Sequence, residues 1–329
     1  MTITYGSVCS GIEAASIAWE PLGWKPAWFA QFDPEHNYAR QPDFPSRVLA
    51  HHWPDVPNLG DMTQIADLIR WGAVAAPDVL VGGTPCQAFS VAGMRKGLKD
   101  PRGQLTISFG ELADAIDEQR DTPCTIVWEN VPGVLNSKDN AFGCFLALLA
   151  GESCELQPPG RKWTNAGCVS GPKRVVAWRV LDAQYFGVAQ RRRRVFVIAS
   201  ADSNFDPSAI LFESDSVRRS LETIAKRKQR LSTTFDGCTL YRFKRTDSYI
   251  DDTVCSTLSA RDYKDARDLI VNDYVGVRGL MPVECERLQG FPDGHTDIPG
   301  AKDGPRYKAL GNSMAVPVMR WIGKKISPH

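Results

Sequence analysis

Apolar and polar positions in this chain alternate between two periods from the N-terminus to about Ser200. Short apolar runs predict buried strands: "TITYGSV" (Thr2 to Val8), "PDVLVG" (Pro77 to Gly82), "TIVWENV" (Thr125 to Val131) and "VFVIAS" (Val195 to Ser200). Between them, "ELADAIDE" (Glu111 to Glu118) places its apolar residues at helical spacing, and "CSGIEAASIAWEPLGW" reads as a turn running into a helix. Strands alternating with helices predict an α/β fold on a doubly wound sheet. Glu152 to Pro172, with several Gly and Pro and no period, predicts a surface loop. From Ala201 the alternation stops. Ser, Thr, Arg and Lys dominate "SVRRSLETIAKRKQR" and "YRFKRTDS", with short β-like runs. The shift predicts a second, smaller domain over residues 201–304, beside a larger one made of 1–200 and 305–329. Near the end, "VECERLQGF" and "SMAVPVMRWIGKKI" return to helical spacing.

Composition narrows the class. The 329 residues are 43% hydrophobic and 23% charged, enough for one large core and a smaller second one. A net charge of +1 means that a nucleic-acid partner must be met by local basic patches. No stretch has the apolar length of a membrane span, and "MTITYGSVCS" lacks the parts of an export signal. A cytoplasmic location with no membrane partner is therefore expected, and a monomer is the default oligomeric state. The nine cysteines are scattered and never spaced as CxxC, so reduced thiols are expected, with neither a disulfide framework nor a metal site.

Several stretches carry side chains suited to chemistry. "YGSVCSGIEAAS" is a glycine-tight turn into a helix N-terminus, where N–H groups and the helix dipole favour a polar or anionic cofactor group. The GxGxxG spacing is absent, which disfavours a dinucleotide. Asp33 and Asp61 fall where carboxylates take ribose hydroxyls or an adenine amino group, although such aspartates also serve as helix caps. In "VGGTPCQAFSVAG", Gly82 and Gly83 let the backbone turn close to a ligand before Pro85 and Cys86, which suits either an exposed nucleophile or a half-buried structural thiol. Glu129, beside Trp128 at a strand end, suits either a partly desolvated carboxyl with a raised pKa or a structural pairing with an arginine. In "QRRRRVFVIAS" an extended chain turns Arg192 and Arg194 to one face and Arg191 and Arg193 to the other, so one pair faces inward toward an anion.

The order of these stretches is more specific than any one of them. "TPCQAFSVAG", "WENV", "QRRRR" before a strand, "RLQGFP" (Arg287 to Pro292) and "GNSMAVPV" (Gly311 to Val318) together resemble the cytosine-5 DNA methyltransferase family. "CSGIEAAS" and "GDMT" stand in matching order upstream. The resemblance covers the chain except residues 201–281, where that family carries its variable target-recognition region. It implies a Rossmann-like mixed sheet, S-adenosylmethionine as methyl donor (S-adenosylhomocysteine as product) and double-stranded DNA as substrate. A separate restriction endonuclease is a possible companion.

Position by position, the resemblance makes Cys86 the nucleophile and has Glu129 bind the pyrimidine edge, with Arg192 and Arg194 in the site that holds the target cytosine. Cys9, Ser10, Gly11 and Ile12 fall in the cofactor turn, Asp33, Asp61 and Met62 near the nucleoside, and Asn312 and Ser313 on the cofactor side of the C-terminal helix. Gln87, Ser90, Asn130, Gln190, Thr257, Leu258 and Arg261 are expected at the DNA, and Gln289 to Pro292 brace the recognition domain. The chain departs from the family where Glu13 and Ala14 replace glycines of the cofactor turn. It departs again where Gln31 stands near the usual ribose-binding glutamate with Asp33 two residues on, and where Ala189 replaces a proline. Either Gln31 or Asp33 is left as the ribose contact.

The implied chemistry explains the cysteine. C5 of cytosine is a poor nucleophile until a thiolate adds to C6 and makes the ring enamine-like. The base must first leave the duplex to expose C6. Two other readings stay open: a tRNA cytosine-5 methyltransferase of the same fold, and a DNA-binding relative without catalysis.

Overall fold

A computed structural model describes residues 2–84, 101–212, 235, 238–244, 248–260, 262, 268–272 and 276–327. Its main sheet has seven strands in the order β2-β1-β3-β4-β7-β6-β5. The strands are β1 (Thr4–Val8), β2 (Lys25–Ala30), β3 (Val79–Gly82), β4 (Thr125–Asn130), β5 (Ala166–Ser170), β6 (Val175–Asp182) and β7 (Arg193–Ser200). β1 to β4 are parallel, while β7, β6 and β5 follow antiparallel. The sheet is thus mixed, and its parallel half sets the site. β2 and β3 flank β1 on opposite sides, so the chain changes winding direction between β1 and β3, where open α/β sheets bind ligands.

The continuous apolar runs are explained by burial on both faces. In β3, Val79 and Val81 enter one core cluster and Leu80 the other. The first core also takes Trp19 of α1 (Ala14–Trp19) and Met319 and Ile322 of the C-terminal helix. The second takes Phe109 and Leu112 of α4 (Pro101–Glu118), together with Phe145 of α5 (Ala141–Ala150). The remaining helices are α2 (Phe44–His52), α3 (Ile65–Arg70), α6 (Pro207–Leu211), α7 (Pro282–Gln289), α8 (Asp303–Asn312) and α9 (Val316–Ile326).

The helix expected at Glu111 to Glu118 runs from Pro101, because Leu105 and Phe109 continue its buried face. The stretch expected to be a loop, Glu152 to Pro172, contains β5. This is an edge strand with alternating exposure that lacks a long apolar run, so it left little trace in the sequence. A second sheet, β11-β10-β8-β9, is formed by β8 (Thr239–Lys244), β9 (Ser248–Asp251), β10 (Asp268–Asn272) and β11 (Gly276–Gly279). All its pairings are antiparallel. Past the composition shift at Ala201, α6 still packs on β6 and β7, with Arg179 Nη1 donating to Leu211 O at 2.6 Å.

Candidate active site

The parallel strands end at one rim of the sheet, where the residues leading to the cysteine stretch meet the end of β4. Gly82 closes β3 against Val8: a Cβ on Gly82 would lie 2.4 Å from Val8 Cγ2 and 2.8 Å from Val8 O. Gly83 follows, with room for a Cβ only 3.1 Å from Glu129 O and 3.6 Å from Glu129 Oε2. The paired glycines therefore let β3 press onto both β1 and the end of β4. Thr84 comes next, fully buried, and two side chains of β4 hold it. Trp128 Nε1 donates to Thr84 Oγ1 at 3.0 Å, and Asn130 Nδ2 donates to Thr84 O at 2.7 Å. Cys86 is two residues farther along the chain. Cys86, Gln87, Ser90 and Arg261 lie outside the described residues.

Glu129 is 8% exposed at the end of β4. Burial raises its pKa, and Arg194 and then Arg192 pull it back down. Arg194 Nε stands 3.1 Å from Glu129 Oε1, an ion pair without the alignment of a hydrogen bond. This oxygen keeps its lone pairs unused, as a carboxylate awaiting a ligand donor does.

Arg192 and Arg194 face inward and Arg191 and Arg193 outward, as the alternation of an extended chain requires. Arg192 nevertheless spends its guanidinium on backbone. Its Nη2 donates to Ser313 O at 2.5 Å and Gly311 O at 3.2 Å, and its Nη1 to Leu258 O at 3.5 Å. Burial, helped by Arg194, draws its pKa down to about 9, which still leaves it charged at neutral pH.

Gln190 is fully buried, donating to Leu288 O and accepting from Leu258 N. Thr257 Oγ1 donates to Arg191 O, and Leu258 is 5% exposed within the core. These residues, expected at the DNA, here join the chain just before β7 to residues 257–258 and to α7.

At the neighbouring crevice, Cys9 and Gly11 both have left-handed backbone, at φ 49° and 58°. Ser10 Oγ donates to Ser7 O and accepts from Ala30 N, tying β1 to β2. Gln31 is already committed: Oε1 accepts from Gly11 N at 2.9 Å and Nε2 donates to Asp43 Oδ2 at 2.9 Å. Asp33 uses Oδ1 on Glu35 N, and its Oδ2 is 3.9 Å from Lys308 Nζ. Asp61 caps a short turn through Oδ1, taking Thr63 N and Oγ1. Met62 is buried, with its Sδ 3.9 Å from Cys9 Sγ. Burial pushes the Cys9 thiol up to about 12, so it stays protonated and is no rival nucleophile. Asn312 is exposed at the end of α8, and Ser313 is buried beside it.

Three features escaped the sequence reading. Phe32, 44% exposed, stacks on Tyr38 at 5.2 Å and offers an aromatic face directly after Gln31. An exposed aromatic residue next to Asp33 was the signal for it. His295 donates from Nε2 to Ile12 O at 2.8 Å, and burial lowers its pKa to about 4, so the ring is neutral. Glu13 occupies a left-handed N-cap position where the family has glycine, and its carboxylate takes Ser7 Oγ, Ser16 Oγ and Ser16 N. Burial drives its pKa up to about 7 despite those bonds. Neither His295 nor Glu13 could be assigned a partner from spacing.

The crevice fits the adenosyl group of S-adenosylmethionine. Gly11 and Gly60 turn with positive φ into open space, Phe32 presents a ring face, Asp61 uses only Oδ1 in its cap, and Asp33 Oδ2 carries no hydrogen bond, only the loose 3.9 Å ion pair with Lys308. Among the described residues no group of His, Cys, Asp and Glu could hold a metal, and no disulfide joins any of the eight described cysteines. No described helix is long and apolar enough to cross a membrane.

The family model for the C-5 cytosine-specific DNA methylase matches residues 3–248 and 214–328. The chain belongs to this family. It is 43% identical over 469 aligned positions to the "DNA N-6-adenine-methyltransferase" of Escherichia phage P1, covering 99% of this chain. The chain spans only 61% of the length of that phage P1 relative. It is 30% identical to the type II methyltransferase M.DsaV of Dactylococcopsis salina, covering 96% of this chain and 84% of that one. In fold, it matches the S. pombe Dnmt2 methyltransferase with a TM-score of 0.64 at 16% identity, over 97% of this chain and 96% of that one. It also matches the Entamoeba histolytica methyltransferase EhMeth with a TM-score of 0.61 at 16% identity, over 99% and 98%.

Proposed function

We propose that this methylase transfers a methyl group from S-adenosylmethionine to C5 of a cytosine flipped out of duplex DNA. The observation that carries the reading is Glu129, buried at the end of β4 beside Arg194 and adjoining the glycine pair that leads to Cys86. The cofactor would supply an electrophilic methyl on a sulfonium. The residues of the chain do the rest. The Cys86 thiolate adds to C6 and forms a C–S bond, and the electron pair displaced from the C5–C6 bond moves to the ring. A Glu129 with raised pKa hydrogen-bonds the N3 and exocyclic-amine edge and offsets the charge that develops there. Arg194 keeps that carboxyl oriented, and Arg192 positions the segment Gly311 to Ser313 behind it. C5, made nucleophilic, would take the methyl as the carbon–sulfur bond of the sulfonium breaks, its electron pair staying on the sulfur of the S-adenosylhomocysteine that leaves. Loss of the C5 proton to a base, a bound water being suitable, returns the electron pair and expels the thiolate.

Phe32 supports a stacked adenine, and Asp33 rather than Gln31 has the oxygen available for the ribose. The duplex partner is supported by the family. An endonuclease companion fits the type II relatives, and a cytoplasmic monomer remains the reading for the chain itself.

The name of the phage P1 relative favours a second reading, methylation of adenine at N6. Plasmid DNA and, in a parallel reaction, tRNA are incubated with the protein and the cofactor, then digested to nucleosides and separated by mass, which decides between them. 5-Methyldeoxycytidine is expected. N6-methyldeoxyadenosine, or methylated nucleosides from tRNA alone, would overturn the proposal.

A further inference from the structure

A groove of about 490 Å³ opens beyond the end of β4, outside the crevice described above. Buried Leu135 and Trp163 form its floor, and exposed Lys138, Arg161 and Lys162 stand on its walls. No carboxylate lines it. None of the three cations has an ion-pair partner among the described residues. Asn136, also at the wall, adds a neutral amide.

The groove is firmly built. Asn140 has left-handed backbone at φ 52°, and its amide clamps the segment that carries two of the cations. Its Nδ2 donates to Leu156 O at 2.9 Å, and its Oδ1 accepts from Trp163 Nε1 at 2.9 Å. Leu156 N then donates to Gly143 O, and a Cβ on Gly143 would lie 2.1 Å from Leu156 O. The segment 152–165 is therefore pressed onto the first turn of α5.

Strand pairing puts this groove on the same rim as Glu129. Asn130 pairs with Val195, Val195 with Val180, and Val180 N donates to Asn165 O at 2.7 Å. From β4 to β5 is three strand spacings, about 14 Å. That is roughly four base-pair steps of a duplex lying along the rim.

We infer that this groove holds the sugar-phosphate backbone of the DNA beside the flipped base, giving the duplex a second grip on the catalytic sheet. Three cations without carboxylates, on an open groove, suit consecutive phosphates and carry no pattern for reading base edges. The inference rests on DNA being the substrate, and it supplies local positive charge to a chain whose net charge is only +1.

The test is the triple variant Lys138→Gln, Arg161→Gln, Lys162→Gln, whose side chains are all exposed. Equilibrium binding of a mixed-sequence DNA duplex is measured against salt, for wild type and variant, with a tRNA in parallel. Unchanged thermal unfolding and unchanged S-adenosylhomocysteine affinity establish that the variant is folded. The slope of log K against log salt for the duplex is expected to shrink by about 2.7, or about 0.9 for each phosphate no longer neutralised. The loss should be equal for duplexes of different sequence. An unchanged duplex slope overturns the groove, as does a change confined to tRNA. A wild-type protein that makes no 5-methylcytosine overturns the proposed function instead, and the duplex slope still judges the groove.

Discussion

Arg194 Nε stands 3.1 Å from Glu129 Oε1, joining the start of β7 to the end of β4 across an antiparallel pairing. Both side chains are largely withdrawn from water, at 14% and 10% exposure. Desolvation raises the carboxyl pKa and the guanidinium lowers it. Glu129→Gln keeps the shape and removes the charge that the proposed mechanism sets against N3. Methylation is expected to fall about 100-fold, while binding of S-adenosylhomocysteine stays unchanged. Single-turnover transfer and calorimetric titration of the product measure the two separately.

Gly82 has no room for a side chain against Val8. Gly82→Ala must push β1 and β3 apart four residues before Cys86 in the chain, an overpacking cost of about 1–3 kcal/mol. The urea midpoint is expected to drop by the corresponding amount. Methylation should drop further than the loss of stability explains, because the same glycine sets the path of the chain into Thr84 and on toward Cys86. A variant that kept its activity per folded molecule would contradict this role for the glycine.

Arg192 satisfies carbonyls of Leu258, Gly311 and Ser313 from a position 2% exposed. Arg192→Met fills similar space and leaves those carbonyls without a donor. A loss of about 3 kcal/mol in unfolding free energy is expected, since buried acceptors lose a charged partner. Arg194→Met should instead reduce methylation with little effect on stability, because its guanidinium serves the carboxyl at the site. Denaturant curves and rates measured on both variants separate positioning from chemistry.

Glu13 gives a pH dependence with a definite sign. Its carboxyl is raised from the ordinary carboxylate range to about 7 in the folded protein, so folding favours its protonated form. The stability this contributes is fully present below pH of about 4.5 and is lost as pH rises through about 7. Glu13→Gln removes the titration while leaving a side chain that accepts from Ser7 or Ser16. Between pH 5 and 8 the wild type should lose on the order of 3 kcal/mol relative to this variant. Urea unfolding of both proteins at the two pH values checks the difference.

Period and order determined much of this protein before any coordinates. Runs such as "VLVG" and "FVIAS" are apolar on consecutive residues because their strands are covered on both faces, so the core of the α/β sheet was legible. The inward turn of Arg192 and Arg194 followed from alternation along an extended chain, and the ordered motifs named the family. β5 was missed because an edge strand exposed on alternate residues need not be apolar. Only the tertiary structure divided the labour between the two arginines, because the carbonyls that occupy Arg192 come from residues 66 to 121 positions away in the chain. It also committed Gln31 to Gly11 and Asp43, and gathered Lys138, Arg161 and Lys162 into one acid-free groove. Local periodicity is set by which face is buried and is written into neighbouring residues. A partner across the fold is set by chain crossings that no local pattern encodes.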